Sequence, residues 1–286
     1  MSAQLLDGKV LAKSIKESIQ KEVEALKAKY GRSPKLVSVQ VGENEASSVY
    51  LKSQIKSAES LGIEYHLEKL SQDIGQEGLI RAIGVLNNDS SVNGIIVQMP
   101  LPSHIDAKLI SRYISPSKDV EAVHPQNMGE IVFGRETVRP CTAASCMELL
   151  NSIPDIKLYG KEAVVVGHSE IVGKPLALML LNKFVTTTVC HIATGERGDL
   201  PEFVKKAEIL IVACGKACLV KGDWIKEGAI VIDVGINRVG DKIVGDVEFD
   251  KAKEKASYIT PVPGGVGPLT VAMLMRNLVE IFKKQV

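Results

Sequence analysis

The chain has 286 residues, enough for two domains of ordinary size. Hydrophobic residues make up 45% and charged residues 24%, the mixture of a water-soluble globular protein. A formal net charge of +1 and an aromatic content of 4% exclude a basic, base-stacking nucleic-acid surface. No apolar run approaches the ~20 residues that a membrane helix needs. The first residues, MSAQLLDGKVLAKSIKE, mix acid and base early and lack a signal-peptide core, so a cytoplasmic protein is expected.

Residues 8–29 carry Val10, Leu11, Ile15, Ile19, Val23 and Leu26 at helical spacing. KLVSVQVG then reads as a strand ending at Gly42, and 46–61 as a helix ended by Gly62. IEYHLEKL is a second strand, 76–88 a helix, and NGIIVQMPLP a buried strand stopped by two prolines. This βαβαβ order predicts a parallel sheet covered by helices. Residues 115–145 read as irregular until RPCTAASCMELL opens a helix, with Thr142 as its N-cap after Pro140. The domain junction falls here. KEAVVVG, TTTVCHI, EILIVAC and AIVIDVG are strands of a second α/β unit, with a helix over 171–182 after the first. The tail, LTVAMLMRNLVEIFKKQV, is an apolar helix.

Five cysteines occur without a CxxC, and the histidines do not cluster at ligand spacing, so free buried thiols and no metal centre are expected. VVVGHSEIVGKP is strand, tight turn and helix, with Gly167, Ser169 and Gly173 in a GxSxxxG pattern. It differs from the dinucleotide GxGxxG but keeps its physics, since helix amides facing a glycine turn can hold a phosphate. A plain strand-to-helix turn is the other reading. VIDVGINR puts Asp233 and Gly235 at the carboxyl end of a strand, where open α/β sheets hold ligands. TPVPGGVGPLT is short, rigid and apolar, which suits a ligand-facing wall better than a linker. Gln98 ends a buried strand, and KDVEAVHPQN offers Asp119, Glu121 and His124.

Tyr50 poses a question. A tyrosine and a lysine on one helix face place a proton donor beside a cation, and the sharing positions are i+3 and i+4. From Tyr50 these are Ser53 and Gln54, while Lys52 and Lys56 point elsewhere.

Together these stretches resemble the 5,10-methylenetetrahydrofolate dehydrogenase/cyclohydrolase family. VQMPLP, KDVEAVHPQN, RPCT, GHSEIVGKP, DVGINR and TPVPGGVGP occur in the family's order. The resemblance implies two α/β domains around a folate cleft, the second a Rossmann-like doubly wound parallel sheet, in a homodimer. It divides the chain into a folate-binding catalytic domain over 1–139, an NAD(P)-binding domain over 140–265 and a helix over 266–286 that returns to the first domain. It assigns catalysis to Tyr50, Gln54, Gln98 and Glu121. Folate falls to Tyr50, Gln98, Glu121, Pro263, Gly264 and Gly265. The cofactor falls to Thr142, Gly167, His168, Ser169, Gly173, Ile192, Arg197 and Ile236. NADP is the family default and NAD is not excluded.

The chain departs from the family pattern at four places. Gln54 stands for the lysine of Tyr-x-x-x-Lys. Asp119, Val120, Glu121 and Ala122 stand for Asp-Val-Asp-Gly. Pro140 to Ser145 stand for Pro-Cys-Thr-Pro-x-Gly. Cys190, His191 and Ile192 stand for Cys-His-Ser, with a longer loop after them. Hydride transfer from the methylene carbon moves no proton, so positioning supplies most of its catalysis. Hydrolysis of the methenyl product needs a group that titrates, and glutamine does not. The expected activity is therefore the dehydrogenase, with weak or absent cyclohydrolase. The full bifunctional enzyme and a folate- or nucleotide-binding regulatory pseudoenzyme are the alternatives.

Overall fold

Strands and helices alternate along the whole chain. The computed structural model describes residues 2–43 and 45–286, with the backbone alone at 45–47. In the first half the elements are β1 (Gln4–Leu5), α1 (Gly8–Tyr30), β2 (Lys35–Val41), α2 (Glu45–Ser60), β3 (Glu64–Leu70), α3 (Gln76–Asn88), β4 (Gly94–Val97), α4 (Ala107–Ile110) and α5 (Pro125–Val132). The second half begins with α6 (Cys141–Asn151), β5 (Glu162–Val166), α7 (Gly173–Leu181), β6 (Thr186–Cys190), α8 (Ile192–Glu196), α9 (Leu200–Val204) and β7 (Ile209–Val212). It ends with β8 (Ile230–Asp233), β9 (Asn237–Val239), β10 (Lys242–Val244), α10 (Phe249–Lys255), β11 (Tyr258–Ile259) and α11 (Val266–Gln285).

One compact unit comprises Ser14–Cys141 and Val271–Val286. Its sheet has the order β3-β2-β4, all parallel. The central strand β2 is buried from Leu36 to Val41, because it has a neighbour on each edge and cover on both faces. The outer strand β3 alternates, with Tyr65 facing inward beside Leu36. Val37, Val39, Ile95 and Val97 join Leu79 and Ile83 of α3 in one apolar core. Each such side chain contributes roughly 1.5–3 kcal/mol by leaving water.

The other unit comprises the chain up to Lys13 and Thr142–Thr270. Its six-stranded sheet has the order β1-β11-β8-β7-β5-β6, with every pairing parallel. β7 and β8 are buried throughout, and Val166, Leu210, Val212 and Val231 anchor the core. The first residues belong here because β1 pairs with β11 through Gln4–Tyr258 and Leu5–Ile259. The division thus differs from the expected one at the N-terminus, where 1–139 were taken together. From Val271 onward the last helix groups with Ser14–Cys141.

Several local expectations are corrected. Thr142 lies inside α6 and does not cap it, since the helix already starts at Cys141. The stretch read as irregular contains α5, which has Pro125 in its first turn and buries Ile131. His124 caps it, its Nδ1 accepting from the Gln126 amide at 3.0 Å. Two short helices, α8 and α9, replace the long loop expected after β6. Val10, assigned to an apolar face, is exposed.

Candidate active site

Four elements of the first-described unit bring polar side chains together in an apolar setting. Gln54 sits on α2 one turn beyond Tyr50 and is fully buried, at 0% exposure. Tyr65 of β3 donates its hydroxyl hydrogen to Gln54 Oε1 at 2.9 Å. Gln98, just past β4, donates from Nε2 to the same oxygen at 2.9 Å and to Ser38 Oγ of β2 at 2.8 Å. Both acceptor positions of the Gln54 oxygen are therefore taken. Its Nε2 is buried with no hydrogen-bond partner among the described residues. The Tyr50 hydroxyl lies beside the Gln54 side chain. Lys52 and Lys56 are exposed.

Burial sets the protonation of this group. It holds the Tyr50 phenol far above its ordinary range, with Cys141 and Glu121 adding to the effect. The Tyr65 phenol is pushed up to about 12, also by burial. Both tyrosines are thus neutral donors at physiological pH. The Glu121 carboxyl is pushed up to about 8, by burial first and by Asp119 second. Asp119 is itself raised by burial. Its Oδ2 accepts from the His124 amide at 2.8 Å and from Asn127 Nδ2 at 2.9 Å, and its Oδ1 is buried without a partner among the described residues. Ala122, which follows Glu121, has φ +56°, in the left-handed region that favours glycine.

The loop carrying Glu121 is held by a residue that sequence reasoning passed over. Asn277 of α11 donates from Nδ2 to the carbonyls of Val120 and Arg139, each at 2.8 Å. A lone asparagine on the apolar face of the last helix was the available signal.

In the other unit, Val166, Gly167, His168, His191, Ile192 and Cys214 line a pocket of about 680 Å³ at the carboxyl ends of β5, β6 and β7. Gly167 has φ +121°, and a side chain there would meet the Ala213 carbonyl oxygen at 2.2 Å. A side chain at Gly173 would meet the Gly167 carbonyl oxygen at 1.9 Å. The two glycines thus allow the turn to fold tightly against β7 and the start of α7, leaving a backbone cradle of the kind that suits a dinucleotide phosphate. Ser169 Oγ accepts from the Val172 amide at 3.2 Å and secures the turn. The His168 and His191 rings lie 5.3 Å apart.

Other expected residues are placed differently. Arg197 is 78% exposed at its side chain and pairs with Asp199 at 2.8 Å, and it is not among the pocket-lining residues. Asp233 faces its own unit's backbone, accepting from the amides of Gly235, Asp246 and Val247, each at 2.9 Å. Burial pushes its carboxyl up to about 6. Ile236 is exposed. Pro263 follows a cis peptide bond, and Gly265 donates to the Pro261 carbonyl at 2.8 Å. Pro263, Gly264 and Gly265 belong to the unit that holds the pocket, whereas Tyr50, Gln98 and Glu121 belong to the other. Thr142 lies half-buried in α6, outside the pocket lining.

A parallel α/β unit with a glycine turn under a pocket defines a dinucleotide-binding protein, and the neutral polar cluster of the other unit gives it a second candidate site. Residues 140–286 match the family "Tetrahydrofolate dehydrogenase/cyclohydrolase, NAD(P)-binding domain", and residues 6–121 match the catalytic domain of the same family. The chain belongs to the tetrahydrofolate dehydrogenase/cyclohydrolase family. It is 50% identical to the "Bifunctional protein FolD 2" of Myxococcus xanthus, over 98% of this chain and 96% of that one. It superposes with a TM-score of 0.96 on the bifunctional FolD of Campylobacter jejuni, at 47% identity over the whole of both chains. The Trypanosoma brucei enzyme, complexed with NADP and an inhibitor, gives a TM-score of 0.94 at 39% identity, over 99% of this chain and 98% of that one.

Proposed function

We propose that the protein oxidises 5,10-methylenetetrahydrofolate to the methenyl form in one-carbon metabolism, with NADP as acceptor, and hydrolyses the product weakly or not at all. The observation that carries this reading is the buried Gln54 carboxamide, bonded to Tyr65 and Gln98 where the family pattern places a lysine. Bound NADP would accept the hydride. The chain's residues bind and orient the folate: Tyr50 offers a ring face and Glu121 meets the donor edge of the pterin. Gln98 and Gln54 fix the neighbouring polar atoms. None of this requires a proton to move, and an amide can serve it. Hydrolysis requires proton exchange at the same place, which neither Gln54 nor the neutral phenols provide near pH 7, while the one carboxyl raised towards neutrality beside Tyr50, that of Glu121, is committed to the pterin.

Two assays on the purified protein test this: reduction of NADP or NAD with methylenetetrahydrofolate, and decay of methenyltetrahydrofolate. Folate-dependent reduction with hydrolysis near the buffer rate is expected. Hydrolysis keeping pace with oxidation would support the bifunctional reading that the relatives' names favour, and absence of both would support a regulatory role.

We further infer a cytoplasmic homodimer. None of the five cysteines is in a disulfide, as a reducing compartment favours. Among the described residues no helix is long and apolar enough to cross a membrane. β6 is an open edge of its sheet, and the same unit carries Tyr159 and Phe184, rings 5.5 Å apart and 78% and 71% exposed.

A further inference from the structure

The geometry points to Tyr65 as the residue that positions Gln54 for work on the folate: by donating to Oε1 it turns the amide so that its NH2 group faces the substrate. This rests on the reading of methylenetetrahydrofolate oxidation given above.

A side-chain amide is nearly symmetric in shape, so its orientation is decided by its partners. Gln98 alone does not decide it. Its own amide can turn, presenting oxygen where it now presents nitrogen, and a pair of glutamines can then bond in either sense. The Ser38 hydroxyl, bonded to the phenol oxygen of Tyr65, leaves the phenol's hydrogen for Gln54 and so settles the sense. The Tyr65 hydroxyl donates to Gln54 at 2.9 Å, and the Ser38 hydroxyl lies beside it. Ser38 in turn accepts from Gln98 at 2.8 Å. The four side chains close a ring anchored on three neighbouring strands and α2, and Gln54 Oε1 receives two donors within it. Two donors on one oxygen fix that end of the amide.

The consequence lies at the other end. Gln54 Nε2 is buried without a hydrogen-bond partner among the described residues, with the Tyr50 hydroxyl as its neighbour. A buried donor in this state is most stable when a ligand supplies an acceptor. A carbonyl oxygen or ring nitrogen of the bound folate has that chemistry. Tyr65 would act only through Gln54 and is a positioning residue. Nothing in the spacing of the sequence marks it, because it lies 11 residues from Gln54 on a different element.

The test is a double-mutant cycle in the full-length protein, with Tyr65→Phe made in the wild type and in Gln54→Leu. Denaturation midpoints and circular dichroism verify that each variant folds. In the wild-type background, Tyr65→Phe should lower kcat/KM for methylenetetrahydrofolate about three- to tenfold, the worth of one neutral hydrogen bond. The KM for NADP should stay within twofold. In the Gln54→Leu background the same change should cost nothing further. Calorimetric titration with tetrahydrofolate should show the same pattern in affinity. An equal loss in both backgrounds, or no loss in the first, overturns the role of Tyr65. A wild-type protein that neither binds tetrahydrofolate nor oxidises its methylene derivative defeats the functional reading instead.

Discussion

Gln98 shares its amide between two acceptors, Gln54 Oε1 at 2.9 Å and Ser38 Oγ at 2.8 Å. This pairing decides what a lysine at position 54 would meet. An ammonium has donors only, so Gln98 would have to turn its oxygen inward and Tyr65 would have to accept. Among the described residues no carboxylate bonds to Gln54. The ammonium would be desolvated without an opposite charge in contact, which lowers its pKa towards neutrality. Gln54→Lys should therefore raise methenyltetrahydrofolate hydrolysis clearly above the wild-type rate, at a cost of about 1–3 kcal/mol in stability. Loss of the methenyl absorbance and a urea titration measure the two effects. A folded variant that gains no hydrolysis would show that position 54 is not what limits it.

Glu121 links folate binding and stability to pH. Its carboxyl titrates at about 8 in the folded chain, well above its ordinary value of 4.5. Between these values the folded state keeps a proton that the unfolded state releases, so this group's contribution to stability falls as pH rises towards 8. Glu121→Gln should raise the denaturation midpoint at pH 8 and change it little at pH 4.5. The pterin's donors favour the ionised form, so wild-type affinity for tetrahydrofolate should climb up to pH 8 and then level off. The variant should bind at least tenfold more weakly at pH 8 and lack this climb, since a hydrogen bond to a charged group carries about 1.5–3 kcal/mol. A flat wild-type profile would remove Glu121 from the folate site.

Cofactor choice should follow the two imidazoles in preference to the arginine. His168 and His191 line the pocket with rings 5.3 Å apart, His168 in the turn after the first strand of the unit and His191 at the end of the second, where dinucleotide folds read the ribose. Arg197 is engaged by Asp199. His168→Ala and His191→Ala should each raise the KM for NADP at least fivefold more than that for NAD, and Arg197→Ala should alter either by less than threefold. A large NADP-selective loss in Arg197→Ala would show that the guanidinium leaves Asp199 for the 2′-phosphate.

The exposed ring pair offers a test of assembly. Tyr159→Lys combined with Phe184→Lys should convert a dimer to a monomer in light scattering, while the circular dichroism spectrum stays the same. A dimer that survives both charges would place its interface elsewhere.

The sequence by itself determined the strand-and-helix alternation, the central strands of both parallel sheets and the glycine turn. Each is written in contiguous residues: β-branched runs such as ILIV and IVID, a helical period, or a φ that only glycine adopts at low cost. It also singled out Tyr50, Gln54, Gln98 and Glu121, through motifs that survive in order along the chain. It missed α5 because that helix is short and its cap is an uncommon histidine. It placed the first thirteen residues with their neighbours in sequence, although a two-residue strand pairs them with Tyr258 and Ile259. Only the tertiary structure decided that Tyr65 and Gln98 hold Gln54, that Asn277 holds the Glu121 loop, and that Arg197 is engaged elsewhere. Contacts of this kind join residues 11 to 157 positions apart, and no local pattern encodes the meeting of one donor with one acceptor across such a distance.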